Sequence, residues 1–371
     1  MQSKRIQQFE GLRFVMCVIV IVSHLEFLGS STLFGDYYMK YLHNPTLAVD
    51  YFFMLSGFGM FLSSKRPNVS FRDVTNFAFS KILKIYPAYL FSLILSLPYN
   101  LFVMAQYNHE VWKVFLKLFL FLGIDLSLFQ SIFGMQALTH ALNGVCWFLS
   151  TLFICYFISP YLLRFVDKFS TYCKILCILL IFFVLILSLS GLASSIESKN
   201  IFGGIINDLW YTSPIIRIWY LGIGMCVGSI YKKWNKKVKF KNISEFSLVV
   251  VAFCYFLGRN SLLLDRTFLR FFDVILCTAL MIIFSAGGGK ITDLLKSQKM
   301  VNLGKLSMLL YLFHYPVRMT VGTIFSELQL QNYLGELGYV LEVVLIILIT
   351  YLILKAYQEV FKIYSKSKIN A

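Results

Sequence analysis

Among the ionisable side chains inside long apolar runs of this sequence, where a charge or a titratable ring is costly, four are the leading candidates for chemistry. They are Arg13, His24, Arg217 and His314. In membrane-spanning runs such residues usually face the interior of a bundle and mark functional sites. The spacing between Arg13 and His24 returns a helix to within about 20° of its starting direction over a rise of about 16 Å. It therefore predicts that both side chains share one helix face.

Two interpretations are open for each member of this pair. A histidine titrates near neutral pH, so His24 is suited to act as a general base on an acceptor hydroxyl; the alternative is a hydrogen bond between helices. Arg13 either holds an anionic substrate group or extends to the membrane surface beside Glu10, one turn earlier. We expect Arg217 and His314, placed near the middle of their spans, to face partners or water.

Further polar or aromatic residues are candidates for lining a site. Asp50 lies at the predicted outer end of the second span, and Ser56 and Gly57 form a break in its middle. Small residues in such a helix otherwise permit close packing against a neighbour. Trp147 opens the fourth span, a position typical of the aromatic belt at a membrane interface.

Lys81 and Lys84 precede the third span and lie three residues apart, on one helix face. A basic pair at the cytoplasmic mouth of a bundle suits a phosphorylated ligand. It also suits a simple anchor at the membrane surface. The spacing alone leaves both interpretations open.

The composition identifies the elements that must position these residues. The 371 residues are 58% hydrophobic and only 14% charged, with a mean hydropathy of +0.73, which excludes a water-soluble fold. Apolar runs long enough to cross a bilayer recur throughout, so we expect one all-α transmembrane domain over residues 1–371, with no cleaved signal peptide. The eight cysteines show no CxxC or zinc-ligand spacing and are interpreted as packing residues.

The positions of the basic residues predict the orientation of the helices. We place ten spans with both termini cytoplasmic, because most of the 34 Lys and Arg residues then fall in inside segments, and this explains the net charge of +16 without nucleic acid. An eleventh apolar run, 111–129, is expected to be interfacial or re-entrant, because a further crossing would place KKWNKKVKFK outside. The predicted spans are 10–28, 47–63, 83–105, 144–166, 172–192, 209–231, 244–258, 268–287, 303–325 and 337–357.

Six segments, taken together and in order, resemble the acyltransferase family 3 membrane proteins, which O-acylate surface polysaccharides and lipid-linked glycans in bacteria. They are FEGLRFVMCVIVIVSH, VDYFFMLSGFGMF, KILKIYPAY, CWFLSTLFICYFISP, RIWYLGIGMCVG and GKLSMLLYLFHYPV. The chain departs from the family pattern at Lys81 and Lys84, where arginine is usual, and at Gly59, where leucine is common. Lysine contacts phosphate as a point charge and lacks the bidentate geometry of arginine.

The resemblance implies ten transmembrane helices in the bacterial plasma membrane, a cytoplasmic acyl-CoA donor, usually acetyl-CoA, and a carbohydrate acceptor presented outside. We expect the donor to dock near Lys81 and Lys84, with Arg13 within reach, and His24 to deprotonate the acceptor hydroxyl. Either His314 or the small-residue segment of the second span is a candidate to stabilise the oxyanion. No bound cofactor or metal is expected, because no cluster of His, Asp and Glu has ligand spacing.

A non-enzymatic alternative is a transporter or flippase of a lipid-linked sugar, which equally needs buried Arg and His residues and a basic inner face. A polysaccharide polymerase is a third hypothesis, although such enzymes usually carry a large outer loop. Dependence on acyl-CoA separates the first interpretation from the other two.

Overall fold

The computed structural model describes residues 6–63, 68–107, 110–168, 209, 211–233, 241–261 and 266–369. Within these residues the chain forms helices and no strand, which confirms the predicted fold class. The longer helices are α1 (Gln7–Ser23), α2 (Thr46–Leu62), α3 (Phe71–Ile82), α4 (Tyr86–Tyr107), α5 (Val111–Ser127), α6 (Trp147–Lys168), α7 (Pro214–Lys233), α8 (Lys241–Gly258), α9 (Arg266–Ala286), α10 (Lys290–Leu295), α11 (Gln298–Glu327), α12 (Leu330–Leu334) and α13 (Glu336–Ile369).

Nine of the ten predicted spans coincide with these helices, and the other, 172–192, lies outside the described residues. Seven helices in the described part of the chain are long and apolar enough to cross a membrane, so this is a multi-pass membrane protein. Two predicted spans, α1 and α11, are not among the seven. The first has only 17 residues, and the second is interrupted by polar side chains. These two helices carry the candidate histidines.

The first helix ends earlier than its sequence predicts. The predicted span runs to residue 28, whereas α1 ends at Ser23 and His24 is its C-cap. The His24 N–H donates to the Ile21 carbonyl at 3.1 Å, and a separate tight turn follows at Glu26–Ser30. Glycine and serine after the histidine favour such a break. His24 therefore lies at the end of the helix rather than within it.

Helices α1 and α11 lie parallel and in direct contact. A Cβ at Gly304 would collide with the backbone of Glu10, so glycine is required at this close approach. Further along the same pair, the Cys17 thiol donates to the Ser307 carbonyl over 3.2 Å. Residues later in both helices are consequently brought together, although almost 300 positions separate them in the chain. Following the predicted orientation, we call the end of the bundle that holds Gln7 the inner end.

The run at 111–129 forms helix α5, which turns back along α4. The Tyr86 hydroxyl, at the start of α4, donates to the Leu126 carbonyl at the end of α5 over 2.9 Å. The chain then returns toward the outer end, where Asn100 donates to the Leu142 carbonyl over 2.9 Å. Because it descends and returns between α4 and α6, this segment has the geometry of a re-entrant element.

Candidate functional site

A cavity of about 400 Å³ opens at the outer end of the bundle, where α1, α2, α6 and α11 meet. Three histidines line it, and His314 is bonded to one of them, so four of the five histidines in the chain gather here. We call it the outer cavity. Its lining residues are Val20, Ser23, His24, Glu26, His43, Pro45, Thr46, Val49, Gln136, His140, Gly144, Val145, Trp147, Tyr211, Tyr311 and Tyr315.

The two histidines singled out by the sequence are hydrogen-bonded to each other. His24 Nδ1 lies 3.2 Å from His314 Nε2, and their ring centroids are 5.2 Å apart. His314 is 2% exposed, and its Nδ1 lies 3.1 Å from the Leu310 carbonyl oxygen. Tyr315 packs edge-on against the His24 ring, with centroids 5.5 Å apart. The position and orientation of the His24 ring are therefore fixed by α11.

The partners of the two rings determine which nitrogens carry protons. A carbonyl oxygen only accepts, so His314 Nδ1 must be the donor to Leu310, and in a neutral imidazole its Nε2 is then an acceptor. His24 Nδ1 must consequently donate to His314 Nε2. In this tautomer His24 Nε2 is unprotonated and carries a lone pair, and the His24 side chain lines the outer cavity.

The end of α1 is held by side chains from the segment before α2. Helix C-termini leave carbonyl groups without intrahelical partners. The Ser23 carbonyl is satisfied by the Tyr38 hydroxyl at 2.8 Å and by His43 Nδ1 at 3.0 Å. These bonds anchor the residue immediately before His24. His43 therefore has a structural role at the cavity edge that its sequence position does not indicate.

Two hydrogen bonds hold the loop before α6 against α11, and one of them exists because α11 contains a proline. Pro316 has no N–H, so the carbonyl of Leu312, four residues earlier, lacks its helical partner. The Asn143 side chain donates to that carbonyl over 3.0 Å. The Tyr311 hydroxyl donates to the Val145 carbonyl of the same loop over 2.8 Å. Together these bonds place the loop, with His140, on the outer cavity.

A second cavity of about 300 Å³ lies below the first, toward the inner end. Two cationic side chains line it, Arg13 and Lys305. Arg13 also pairs with Glu10 at 2.9 Å and remains 35% exposed. We call it the inner cavity. Its other lining residues are Phe52, Leu55, Ser56, Ile85, Phe148, Leu152, Tyr156, Gly304, Ser307, Met308 and Tyr311.

Tyr311 lines both cavities and forms part of the wall between them. It is 5% exposed, and its hydroxyl is engaged by the Val145 carbonyl. The neighbouring residues Trp147 and Phe148 each line one cavity, Trp147 the outer and Phe148 the inner. Arg13 and His24 thus share a helix face, as predicted, but face two spaces that an aromatic wall separates.

A buried charged cluster lies behind the outer cavity. Arg217 is fully buried and forms an ion pair with Asp50, which Arg270 approaches at 3.7 Å. The Arg217 guanidinium lies 5.6 Å from the Trp147 ring centroid and 5.0 Å from that of Tyr211. Trp147 and Tyr211 line the cavity, whereas Arg217 and Asp50 do not. The cluster therefore supports the cavity wall from behind.

A family profile described as an acyltransferase domain matches residues 6–354, nearly the whole chain. The chain belongs to acyltransferase family 3. The matched region contains every residue that lines the two cavities. No curated protein and no solved structure matches the chain significantly. The family assignment makes this protein a membrane acyltransferase.

In this acyltransferase several sequence interpretations need correction. Helix α2 is continuous through residues 56 and 57, so no break exists there. Gly57 packs against the Leu221 backbone, where a Cβ would collide, while Ser56 lines the inner cavity. Trp147 is 4% exposed and so is not a belt residue. Arg217 lies one turn into its helix rather than at its middle, because α7 begins only at Pro214.

The predicted donor lysines lie outside the inner cavity of this family member. Lys81 is half-buried, with its ammonium 5.1 Å from the Phe77 ring centroid, and Lys84 is exposed. Lys305 lines the cavity instead, although in sequence it resembles any inside lysine. The sequence also gave no reason to select Tyr311, since an aromatic residue in an apolar run is ordinary core. His140 lies in a loop without periodicity.

Proposed function

We propose that this acyltransferase moves an acyl group from cytoplasmic acyl-CoA to a hydroxyl of a carbohydrate on the outer face of the bacterial plasma membrane. The observation that carries the proposal is the bonded pair of His24 and His314, which leaves His24 Nε2 as a base in an outward-opening cavity. Serine and threonine hydroxyls cannot replace it as a base, because they do not accept protons near neutral pH. Acetyl-CoA is the donor that the family assignment favours.

The proposed chemistry is direct transfer with His24 as base. His24 Nε2 takes the acceptor hydroxyl proton as the oxygen attacks the thioester carbonyl carbon. The tetrahedral intermediate collapses, the carbon–sulfur bond breaks, and the thiolate takes the proton back from His24. The products are an ester and free CoA thiol. His314 accepts from His24 Nδ1 throughout and stabilises the transient imidazolium.

The inner cavity is the proposed site of the donor. CoA carries phosphates, and Arg13 and Lys305 are the cations that line this space. Arg13 offers a planar guanidinium and Lys305 a point charge. Lys81 and Lys84 remain candidates for the nucleotide end of the donor outside the cavity. The thioester end would then extend toward Tyr311, beneath the outer cavity.

Transfer requires the wall at Tyr311 to open. The thioester arrives from the inner side, whereas His24 faces the outer side. One hydrogen bond, from Tyr311 to Val145, holds the aromatic ring against the loop. Its rupture would let the ring turn and connect the two spaces. Such a bond in a membrane bundle contributes about 0.6 kcal/mol on average, and opening must also release the packing of the ring against Phe148, with centroids 5.5 Å apart.

The test uses purified protein in detergent or nanodiscs with radiolabelled acetyl-CoA and the alkali-treated surface glycan of the parent organism, whose hydroxyls are free. His24→Gln keeps a hydrogen-bonding side chain but cannot take a proton, so transfer should fall by about 10² to 10⁴. The matched control is His140→Gln, which alters another histidine of the same cavity whose Nδ1 contacts the Gly144 carbonyl at 2.7 Å. Near-normal transfer by His24→Gln would refute the proposed base.

A transporter or flippase of a lipid-linked sugar remains the second candidate, because two cavities separated by one wall also suit a substrate that crosses the membrane. The family assignment favours the acyltransferase. A transporter would move its sugar without acyl-CoA. Wild-type protein that neither hydrolyses nor transfers acetyl-CoA, yet moves a lipid-linked sugar across vesicles, would establish the second candidate.

A further inference from the structure

A third cavity, of about 290 Å³, lies beside the outer cavity between α4, α11 and α13. The proposed reaction makes no use of it. We call it the side cavity. Its lining is Phe27, Tyr99, Arg318, Met319, Gly322, Thr323, Ser326, Gln331 and Glu342. This combination of aromatic, hydroxyl, amide and charged side chains is far more polar than the lipid-facing surface of α13.

The side cavity contains a carboxylate oxygen without a partner. Glu342 is fully buried, and its Oε2 accepts from the Gln331 side chain at 2.5 Å. Its Oε1 has no hydrogen-bond partner within the described part of the chain. A Cβ at Gly322 would lie 3.3 Å from that oxygen, so the glycine leaves the space over it open. A buried acceptor left in this state is costly unless a ligand supplies the donor.

The charges of the side cavity select the chemistry of that ligand. Arg318 is paired with Glu26 at 3.0 Å, so its charge is compensated. The one cation among the described residues that line the cavity is therefore already paired, which disfavours phosphate or carboxylate groups, while Glu342 Oε1 offers an open acceptor. A neutral hydroxyl donates to a carboxylate and also accepts from the remaining N–H groups of Arg318. A sugar ring presents several such hydroxyls and an apolar face that suits Phe27 and Tyr99.

The side cavity and the outer cavity are neighbours. Glu26 lines the outer cavity and Arg318 lines the side cavity, so their ion pair lies between the two. Phe27, which follows Glu26 directly, also lines the side cavity. The Glu26 side chain is 51% exposed, so the ion pair lies at the solvent-accessible edge between the two cavities and does not seal one from the other. The two cavities are therefore adjacent at this ion pair.

We propose that the side cavity is a second carbohydrate subsite, which binds the sugar unit adjacent to the one acylated at His24. Glu342 Oε1 accepts a hydrogen bond from a hydroxyl of that unit. The proposal rests on the proposed function and adds that the acceptor is an oligomer or polymer, recognised over at least two units.

The test compares acceptors of different length. The alkali-treated surface glycan of the parent organism is cut by partial acid hydrolysis, and its one-unit and two-unit fragments are separated and supplied with acetyl-CoA. The wild type should use the two-unit fragment with the higher kcat/KM. Glu342→Gln keeps an acceptor oxygen but removes the carboxylate, so it should lower kcat/KM for that fragment by about 5- to 10-fold, the difference between a hydrogen bond to a charged acceptor and one to a neutral acceptor. It should leave the one-unit fragment and the hydrolysis of acetyl-CoA unchanged.

Two further variants keep the result interpretable. Gly322→Ala brings a methyl group against Glu342 Oε1 without changing charge, and should reproduce the selective loss with the two-unit fragment. Thr350→Val is the matched control. It removes another unpartnered buried polar atom of α13 that does not line the cavity, and it should change nothing.

Equal use of both fragments by the wild type, or an equal loss with both in Glu342→Gln, would overturn the subsite. If the wild type acylates no fragment, the proposed function fails instead. Binding measured by saturation-transfer NMR then decides the subsite separately: the two-unit fragment must bind the wild type more tightly than it binds Glu342→Gln.

Discussion

Replacement of His314 by leucine tests how the two histidines work together. Leucine has a similar size and fills the buried space with an apolar side chain. It cannot accept the hydrogen bond from His24 Nδ1, which lies 3.2 Å from His314 Nε2 in the wild-type structure. His24 acquires a positive charge in the transition state, and a hydrogen bond to a charged group contributes about 1.5–3 kcal/mol, which is about 10- to 160-fold in rate. We therefore expect kcat to fall within that range for His314→Leu.

The measurement is steady-state transfer from radiolabelled acetyl-CoA, with protein quality checked by size-exclusion chromatography. The KM for acetyl-CoA should stay unchanged, because the proposed donor site lies in the inner cavity. His314→Gln retains a carbonyl acceptor and should recover most of the rate. A purely structural role for His314 would not produce this recovery together with an unchanged KM.

The double variant gives the sharpest result. If His314 acts only through His24, His24→Ala combined with His314→Leu should be no slower than His24→Ala alone, because residues that act as a unit are not additive. Multiplying losses would show that His314 acts on the substrate independently. Wild-type activity in His314→Leu would refute the tautomer argument itself.

Three other outcomes are expected. Tyr311→Phe removes the bond that holds the wall, worth about 0.6 kcal/mol, and should raise acetyl-CoA hydrolysis without acceptor about threefold; an unchanged rate would mean that the hydroxyl does not hold the wall closed. Lys305→Ala should raise the KM for acetyl-CoA more than the double change of Lys81 and Lys84 to alanine does. Added salt should reduce the difference in KM between Lys305→Ala and the wild type, because salt screens the interaction with phosphate. A larger effect of the double change would show that the donor binds at Lys81 and Lys84 instead. An alkaline phosphatase fusion after Lys237 should be inactive, as a cytoplasmic fusion is; activity would reverse the predicted orientation.

Individual site residues were predictable from the sequence because charge inside an apolar run is conspicuous. His24, His314 and Arg13 are conspicuous on that basis; His24 and Arg13 line the two cavities, and His314 is hydrogen-bonded to His24. Their pairing was not predictable, since it depends on the close approach of α1 and α11 at Gly304. Nothing in a linear pattern specifies which two helices meet among so many similar ones.

Lysines illustrate a second limit. Lys305 and Lys84 are equivalent in sequence, because both follow the bias that places basic residues inside. Only the fold separates a lysine at a cavity from one at the bundle surface. Glu342, by contrast, is predictable from the sequence in the same way as His24, because it is an ionisable residue within an apolar run, 337–357. A count of basic residues alone, which is what predicts orientation, does not reveal an acidic residue of this kind.

The aromatic wall at Tyr311 also bears on how a cell can tolerate this protein. Two cavities that together reach from Arg13 to His24 would, if joined, form a polar route through the membrane. A histidine pair at one end could conduct protons along such a route and so discharge the electrochemical gradient on which the cell depends. Under the proposed mechanism, the ring of Tyr311, which is buried, would keep the membrane insulating between turnovers. An acyl chain that displaces the ring would fill the same space with hydrocarbon, and the barrier to ions would persist while the reaction proceeds.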